Sequence, residues 1–189
     1  SQNFEDVMLW RALKHIENGF YIDVGAAWPD EHSVTKAFYD VGWTGINIEP
    51  NPAFISQYKA SRTKDINLKV AVSDKESQAE IYFIENTGLS SLDRTTAESH
   101  KSIGFNSEPA KVEVTTLQQI CKKHAQSKEI HFLKVDVEGL EVNVLTGNDW
   151  SQFKPWIVVV EATLPMSQVE NYEQWEPILL NAGYLFVYA

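Results

Sequence analysis

Carboxylate side chains follow several short apolar segments of this sequence, where they could act together on one ligand. Asp23 and Gly25 end the segment FYIDVG, Glu49 follows TGINI, and Asp136 and Glu138 follow FLKV. Carboxylates accept hydrogen bonds from hydroxyl groups, balance cations and take up protons. Unpaired carboxylates at one edge of a sheet repel one another and do not stabilise the fold. The pattern therefore predicts a site for a hydroxyl-bearing or cationic ligand.

The segments that carry these acids are predicted strands, and helical patterns separate them. Apolar runs predict strands at residues 20–24, 44–49, 66–72, 130–135, 156–160 and 184–188. Periodicity and capping residues predict helices at residues 3–16, 52–60, 115–124, 138–145 and 172–182, and one that begins after Asp30 or Ser33. This alternation predicts a three-layer α/β fold with a doubly wound parallel sheet. Ligands of such sheets bind beyond the carboxyl ends of the strands, where the strand order reverses.

Residues 77–114 interrupt this alternation. Residues 80–85 and 111–114 have strand patterns, and the polar residues 87–108 between them predict a long loop. A loop of this length inside a compact domain is usually functional or disordered. We expect one domain over residues 1–189, with an N-terminal helix within residues 1–19 and this insertion within a core at residues 20–189. The last predicted strand stops with the sequence, so we expect it to be truncated and the parent chain to be longer.

Composition argues against several kinds of partner. The formal net charge is −10, whereas nucleic acid and anionic membranes attract clustered Lys and Arg. No apolar run approaches the roughly 20 residues that cross a bilayer, and Ser1 begins no recognisable signal peptide. The single cysteine, Cys121, predicts neither an internal disulfide nor a zinc site. We expect a cytoplasmic protein that binds neither nucleic acid nor membrane.

The turn after the first predicted strand has part of a nucleotide-binding pattern. Gly25 allows the backbone to approach a ligand closely, and Glu49 ends the next strand, where an acid can bind ribose hydroxyls. The alternative for Glu49 is a solvated loop acid. The turn lacks the second and third glycines of the dinucleotide fingerprint. An NAD-dependent oxidoreductase and a non-catalytic binding domain are both kept as alternatives to the function inferred next.

Motifs along nearly the whole chain resemble the FkbM family of methyltransferases. They are YIDVGA at residues 21–26, GWTGINIEPNP at 42–52, VAVSD at 70–74, GLSSL at 88–92, FLKVDVEGLEVNVLTG at 132–147 and PWIVVVEA at 155–162. The segment at residues 1–13 also resembles the region before the core in part of that family. The resemblance implies a Rossmann-like class I methyltransferase fold and an S-adenosylmethionine cofactor. It also implies O-methylation of a hydroxyl on a sugar, a glycan or a secondary metabolite.

The resemblance assigns roles to individual residues. The cofactor's methionine end would lie along Asp23, Gly25 and Ala26, its ribose on Glu49, its adenine near Val72 and Ser73, and its sulfonium or the acceptor near Asp136, with Glu138 beside it. The turn departs from the family pattern after Ala26, so residues 27–30 receive no role. The acceptor is expected to be a small molecule or a carbohydrate, and no oligomeric state follows from the sequence.

Transfer of a methyl group to a hydroxyl requires a group that takes the hydroxyl proton. Asp136 and Glu138 are the first candidates because they end a core strand on the cofactor side. Other candidate bases are His32, His100 and Glu161. The two acids could instead accept hydrogen bonds from backbone or cofactor donors, and a divalent metal could also use them, although nothing in the sequence supports one. Lys134 could neutralise a carboxylate there or lie as a charge at the sheet surface.

Overall fold

The protein is described from a computed structural model, which covers residues 1, 3–84, 90–91, 107–163 and 169–188. Helices in this part of the chain are α1 (Glu5–Leu13), α2 (Lys36–Asp40), α3 (Pro52–Ser61), α4 (Leu117–His124), α5 (Glu141–Thr146), α6 (Glu176–Asn181) and a 3₁₀ turn at Tyr172–Gln174. Strands are β1 (Phe20–Val24), β2 (Thr44–Ile48), β3 (Ile66–Leu68), β4 (Ala71–Val72), β5 (Ser77–Ile84), β6 (Ser90–Ser91), β7 (Ser107–Thr115), β8 (Phe132–Val135) and β9 (Ile157–Val160). None of these helices is long and apolar enough to cross a membrane.

Five parallel strands form the main sheet in the order β3-β2-β1-β8-β9. The chain builds outward from β1 through β2 to β3 and then returns to the other side of β1 for β8 and β9. The strand order therefore reverses between β1 and β8, and their carboxyl ends form the expected ligand-binding edge. Asp23 of β1 lies in register with Asn47 of β2 and Lys134 of β8. The predicted doubly wound parallel sheet is confirmed.

Helices cover both faces of this sheet, and every residue of β1 is therefore buried. Ile22 belongs to an apolar cluster that includes Leu117 of α4 and Val144 of α5. Tyr21, which points to the opposite face, belongs to a second cluster with Leu9 of α1 and Phe38 of α2. These two clusters are the apolar layers on either side of the sheet, and they confirm the predicted three-layer architecture.

A second sheet accounts for the predicted insertion. Its four strands lie in the order β4-β7-β5-β6, with β5 antiparallel to both β7 and β6. The single strand predicted over residues 66–72 is wrong, because the segment divides between the two sheets. Leu68 still pairs with Ile48 in the main sheet, whereas Ala71 pairs with Val114 in the second. An apolar run indicates extended backbone, but it does not show which partner strand each residue pairs with.

Helix starts differ from the sequence prediction where the backbone takes a left-handed turn or where another residue caps the helix. Thr35, rather than Asp30 or Ser33, is the N-cap residue of α2. The predicted helix at residues 138–145 begins only at Glu141, because Glu138 and Gly139 have φ angles of 54° and 99°. Left-handed residues of this kind end or delay a helix.

The carboxyl-terminal part of the chain also differs from the prediction. The helix predicted over residues 172–182 divides into the 3₁₀ turn and α6, with a proline near the start of α6. Residues 184–188, predicted as a strand, form none within the described chain. Leu185 and Val187 are 84% and 88% exposed. An apolar run forms a strand only where the edge of a sheet is available to pair with it.

Candidate active site

The turns after β1 and β8 pack directly against each other at the point where the strand order reverses. The backbone N–H of Asp136 donates to the carbonyl of Val24 at 3.1 Å. Gly25 has a φ of +74°, and a Cβ added to it would lie 1.8 Å from the carbonyl oxygen of Asp136. No side chain can be accommodated at that distance, so this position requires glycine. The close approach expected of Gly25 is made to the neighbouring strand end.

The backbone donors of the first turn are already paired within the protein. The N–H groups of Gly25 and Ala26 both donate to the carbonyl of Ile48, at 3.0 and 3.2 Å. The next N–H, that of Ala27, donates to Oε2 of Glu49 at 3.0 Å. Each backbone N–H is a single donor. The turn of a dinucleotide-binding site binds phosphate through free N–H groups. The three N–H groups here are paired and are not free to do so.

Glu49 lies beside this turn, as the sequence predicts. Its Oε2 accepts from Ala27, its Oε1 accepts from the backbone N–H of Asn51 at 2.8 Å, and the residue is only 7% exposed. Burial raises the pKa of Glu49 to about 7, although both backbone donors oppose the shift. Each carboxylate oxygen has a second lone pair. Glu49 is therefore held in place and can still accept hydrogen bonds from two ligand hydroxyls.

Lys134 connects the two turns through its ammonium group. Its Nζ donates to the carbonyl oxygen of Gly25 at 2.7 Å and lies 3.4 Å from Oδ1 of Asp23 and 3.3 Å from Oδ2 of Asp136. Burial alone would lower the pKa of Lys134, but the two carboxylates together raise it above its usual value. The structure thus decides between the two alternatives for Lys134: it neutralises carboxylates and is not a surface charge.

The carboxylate of Asp23 is buried and paired within the protein. It is 1% exposed, and Thr35 Oγ1 donates to its Oδ2 at 3.4 Å. Burial raises the pKa of Asp23, and the ammonium of Lys134 opposes this shift. The predicted place of Asp23 at the end of β1 is confirmed, and its contacts are with Lys134 and Thr35.

Three carboxylates gather where β8 and β9 end. Asp136, Glu138 and Glu161 each offer an oxygen, and these oxygens all lie within 4.8 Å of one another. Burial, and then the charges of Asp136 and Glu141, raise the pKa of Glu138 to about 7. Burial and the neighbouring Asp136 raise that of Glu161 to about 8. Glu138 and Glu161 can therefore take up or release a proton near neutral pH. The oxygens of this acidic cluster also have the donor type that a hard divalent cation prefers.

The two potential bases in this cluster have few compensating groups. Glu138 has a φ of 54°, a conformation that is uncommon for a residue with a side chain and that often occurs at functional sites. Oε2 of Glu161 is buried and accepts no hydrogen bond from any described residue. The ammonium of Lys134 already contacts Asp23 and Asp136. Glu138 and Glu161 therefore have room in their hydrogen bonding for a ligand.

Sequence reasoning did not find Glu141, which holds the turn that carries Asp136 and Glu138. Glu141 is 1% exposed, and its Oε1 accepts from the backbone N–H groups of Val137 at 3.2 Å and Gly139 at 3.1 Å. An acid in the first turn of a helix is common for electrostatic reasons alone. Its pattern in the sequence therefore carried no separate signal of this role.

Other predicted site residues lie in different surroundings. Val72 is buried in the main apolar cluster, and Ser73 donates its hydroxyl to Asp74 at 3.0 Å. Both residues belong to or follow β4 of the second sheet, so their place near an adenine stays a prediction. Ala26 is also buried, and it packs with Ile55 and Tyr58.

Trp28, His32 and His131 lie outside the acidic cluster, in contacts of their own or at the surface. Trp28 packs against Phe54, with ring centroids 4.7 Å apart. His32 is exposed and has a φ of 56°. His131 is buried and accepts from the backbone N–H of Phe20 at 3.0 Å, so it stabilises the start of β1. His100 lies outside the described residues, as do most of residues 87–108.

The fold and this edge of the sheet define the general class of the protein. The order β3-β2-β1-β8-β9, a glycine turn after β1 and acids after β2 and β8 are those of a Rossmann-like α/β domain of the class I methyltransferase type. The family model for the methyltransferase FkbM domain matches residues 23–186, and the chain belongs to this family. The resemblance drawn from the sequence motifs is confirmed.

Comparison with solved structures gives a more distant likeness. A crystal structure of methyltransferase FkbM from Methylobacillus flagellatus KT matches at 12% sequence identity with a TM-score of 0.42. The match covers 69% of this chain and 29% of that protein, so this chain spans less than a third of that protein's length. No curated protein matches the sequence.

Proposed function

We propose that this protein transfers a methyl group from S-adenosylmethionine to a hydroxyl of a small molecule or a carbohydrate. The observation that carries the proposal is the pairing of the first turn: the N–H groups of Gly25, Ala26 and Ala27 are used within the protein. What this edge offers a ligand is carboxylate oxygen, from Glu49 on one side and from the acidic cluster on the other. Such a site suits a cationic sulfonium with ribose hydroxyls and no phosphate.

The oxidoreductase alternative has less support from the same observation. A dinucleotide places its pyrophosphate on free N–H groups at the start of a helix that directly follows the first turn. Here the helix after β1 begins only at Lys36, well beyond Gly25. The non-catalytic alternative is also weaker, because carboxyl groups whose pKa values lie near neutrality are typical of catalytic sites.

The proposed placement of the cofactor follows the residues around the turn. Glu49 would accept from the ribose hydroxyls, Gly25 and Ala26 would lie along the methionine end, and Val72 and Ser73 would lie near the adenine. Asp23 would act through Lys134, since it is buried and paired with that ammonium. When bound, S-adenosylmethionine supplies an electrophilic methyl group.

The chain's own residues would handle the proton. When the acceptor hydroxyl takes the methyl group and S-adenosylhomocysteine is released, the hydroxyl proton would pass to a carboxylate of the acidic cluster, at Glu138 or Glu161. The pKa values of these two groups, about 7 and about 8, suit a proton acceptor that works near neutral pH. Oδ2 of Asp136 lies 3.3 Å from Nζ of Lys134, so this carboxylate is paired with a cation. Asp136 would therefore stabilise charge, and its neighbours would take the proton.

Calorimetry with S-adenosylmethionine and, separately, with NAD tests the proposal. We expect heat of binding with S-adenosylmethionine and none with NAD. Clear binding of NAD without binding of S-adenosylmethionine would overturn the proposal in favour of the oxidoreductase.

Glu49→Gln tests the ribose role within the same experiment. The substitution removes the charge and replaces one acceptor oxygen with a donor, so S-adenosylmethionine should bind about 10- to 100-fold more weakly. Glu113→Gln, at an exposed position on β7, is the matched control and should bind like the wild type. Equal affinities of Glu49→Gln and the wild type would remove Glu49 from the ribose role.

A further inference from the structure

Tyr58, on α3, contacts the backbone of the turn that follows β1, called the first turn here. The Tyr58 side chain is fully buried, and its hydroxyl lies 2.9 Å from the carbonyl oxygen of Ala26 and 3.3 Å from that of Trp28. A phenolic hydroxyl has one proton, so these two carbonyls share a single donor. The contact therefore fixes the direction of two peptide groups, Ala26–Ala27 directly before the Ala27 side chain and Trp28–Pro29 one residue beyond it.

Arg62, at the end of the same helix, holds the next part of the turn. Its guanidinium donates to the carbonyl of Pro29 and, at 3.1 Å, to the hydroxyl of Ser33, although the residue is only 1% exposed. The guanidinium also lies 4.8 Å from the centre of the Tyr39 ring. Burial of a charged group is unfavourable unless it is well bonded. Two hydrogen bonds of the buried guanidinium, to Pro29 and Ser33, are therefore made to the segment that follows β1.

Ala27 shows why the turn needs such support. Its φ is 48°, a left-handed conformation that disfavours residues with a Cβ. In this conformation its N–H reaches Oε2 of Glu49. A strained residue persists where the surrounding structure over-determines it. The dinucleotide fingerprint supplies glycines at comparable places, and here α3 supplies side-chain donors.

We propose that Tyr58 and Arg62 are positioning residues that set the affinity of the first turn for its cofactor. They act through the carbonyls of Ala26, Trp28 and Pro29, and through these on the Ala27–Glu49 contact. The inference rests on the proposed function, because the affinity in question is that for S-adenosylmethionine.

Tyr58→Phe isolates this role, because it removes one hydroxyl and keeps the buried ring. Tyr184→Phe is the matched control: the Tyr184 hydroxyl also donates to a backbone carbonyl, that of Pro155 at 2.5 Å, away from the turn. We expect Tyr58→Phe to weaken S-adenosylmethionine binding about tenfold, and Tyr184→Phe to leave it unchanged. Wild-type affinity in Tyr58→Phe, or equal weakening in both variants, would overturn the inference.

Amide hydrogen exchange without cofactor separates this inference from the proposed function. The Ala27 N–H should exchange faster in Tyr58→Phe than in the wild type, and at the wild-type rate in Tyr184→Phe. Unchanged exchange at Ala27 in Tyr58→Phe would refute the positioning role even if S-adenosylmethionine binds the wild type. Absence of S-adenosylmethionine binding to the wild type would instead refute the proposed function, whatever the exchange shows.

Arg62→Lys extends the test without removing the buried charge. A lysine ammonium cannot bond the Pro29 carbonyl and the Ser33 hydroxyl with the fixed fork of a guanidinium. We expect weaker cofactor binding and faster exchange at Ala27, with both effects smaller in Arg62→Lys than in Arg62→Met. Wild-type behaviour of a folded Arg62→Met variant would contradict the role given to Arg62.

Discussion

The two halves of the ligand-binding edge differ in how their polar groups are paired. In the half formed by β1 and β2, most polar groups have partners within the protein. They are the N–H groups of the turn after β1, both Glu49 oxygens and the carbonyls that accept from Tyr58. In the half formed by β8 and β9, the three acids of the acidic cluster lie together near one lysine. The first half has its shape before a ligand arrives, whereas the second has negative charge and open acceptor positions. In the proposed function, the first half would hold the cofactor and the second would take the proton.

Lys134 joins these halves, so its removal should have the largest effect on stability. In Lys134→Met the buried carboxylate of Asp23 loses its ammonium partner, and loss of one member of a buried ion pair costs about 3–5 kcal/mol. Chemical denaturation should show a loss of this size. The double variant Asp23→Asn/Lys134→Met, which leaves no unpaired charge at Asp23, should recover most of it. A single variant as stable as the wild type would show that the two halves are not joined through Lys134.

Gly25→Ala should damage the same junction by steric conflict. A Cβ at this position would lie 1.8 Å from the Asp136 carbonyl oxygen, and φ is +74°. Gly42 is a matched control, because its φ is +99° but nothing lies within 4 Å of the added Cβ. We expect Gly42→Ala to cost about 1–2 kcal/mol of unfolding free energy through backbone strain alone. Gly25→Ala should cost clearly more and abolish S-adenosylmethionine binding. Equal costs in the two variants would mean that the turns do not pack as described.

Glu161→Gln changes the acidic cluster, in the half formed by β8 and β9. We expect its effect on the free energy of unfolding to be smaller than those of Lys134→Met and Gly25→Ala. In the folded protein the pKa of Glu161 is raised from 4.5 to about 8. The folded state therefore binds this proton more tightly than the unfolded chain, and the associated stability is lost as pH rises through that range. The groups that face Glu161 are Asp136, Glu138 and Glu141, with Lys134 beside Asp136. The midpoint of unfolding should therefore fall less in Glu161→Gln than in the wild type as the pH rises from about 5 to 8.5. This interval roughly spans the pKa values of Glu161 in the unfolded and folded states.

The same variant tests the chemistry. If Glu161 takes the proton, methyl transfer to a hydroxyl acceptor should slow about 100-fold or more, while S-adenosylmethionine binding changes little. Glu138→Gln is the comparison that assigns the base, because the variant with the larger loss of rate identifies the acceptor of the proton. Full activity of both variants would show that the acidic cluster does not act as a base.

The sequence predicted the strands of the main sheet and the acids at their ends because both depend on local pattern. The strands predicted at residues 20–24, 44–49 and 130–135 match β1, β2 and β8, which carry Asp23, Glu49 and Asp136 to the same edge. Buried parallel strands are continuous apolar runs, so their positions follow from the residues alone. The ligand-binding edge then follows from the direction of the strands.

What the sequence did not show depends on contacts between distant residues. The division of residues 66–72 follows from the pairing of Ala71 with Val114, and the role of Arg62 depends on a bond to Pro29. Neither partner can be inferred from the spacing of neighbours along the chain. The role of Lys134 does not follow from the sequence for the same reason. Only the packing of β1 against β8 shows that its ammonium lies between two carboxylates.

A crystal structure of the protein with bound S-adenosylhomocysteine would test the proposed division of work most directly. We expect the ribose hydroxyls to donate to Glu49, with the hydrogen bonds of Ala27 and Asn51 to that carboxylate unchanged. We also expect the sulfur to face the acidic cluster of Asp136, Glu138 and Glu161. A ribose that lies away from Glu49, or a sulfur that faces away from this cluster, would contradict the account.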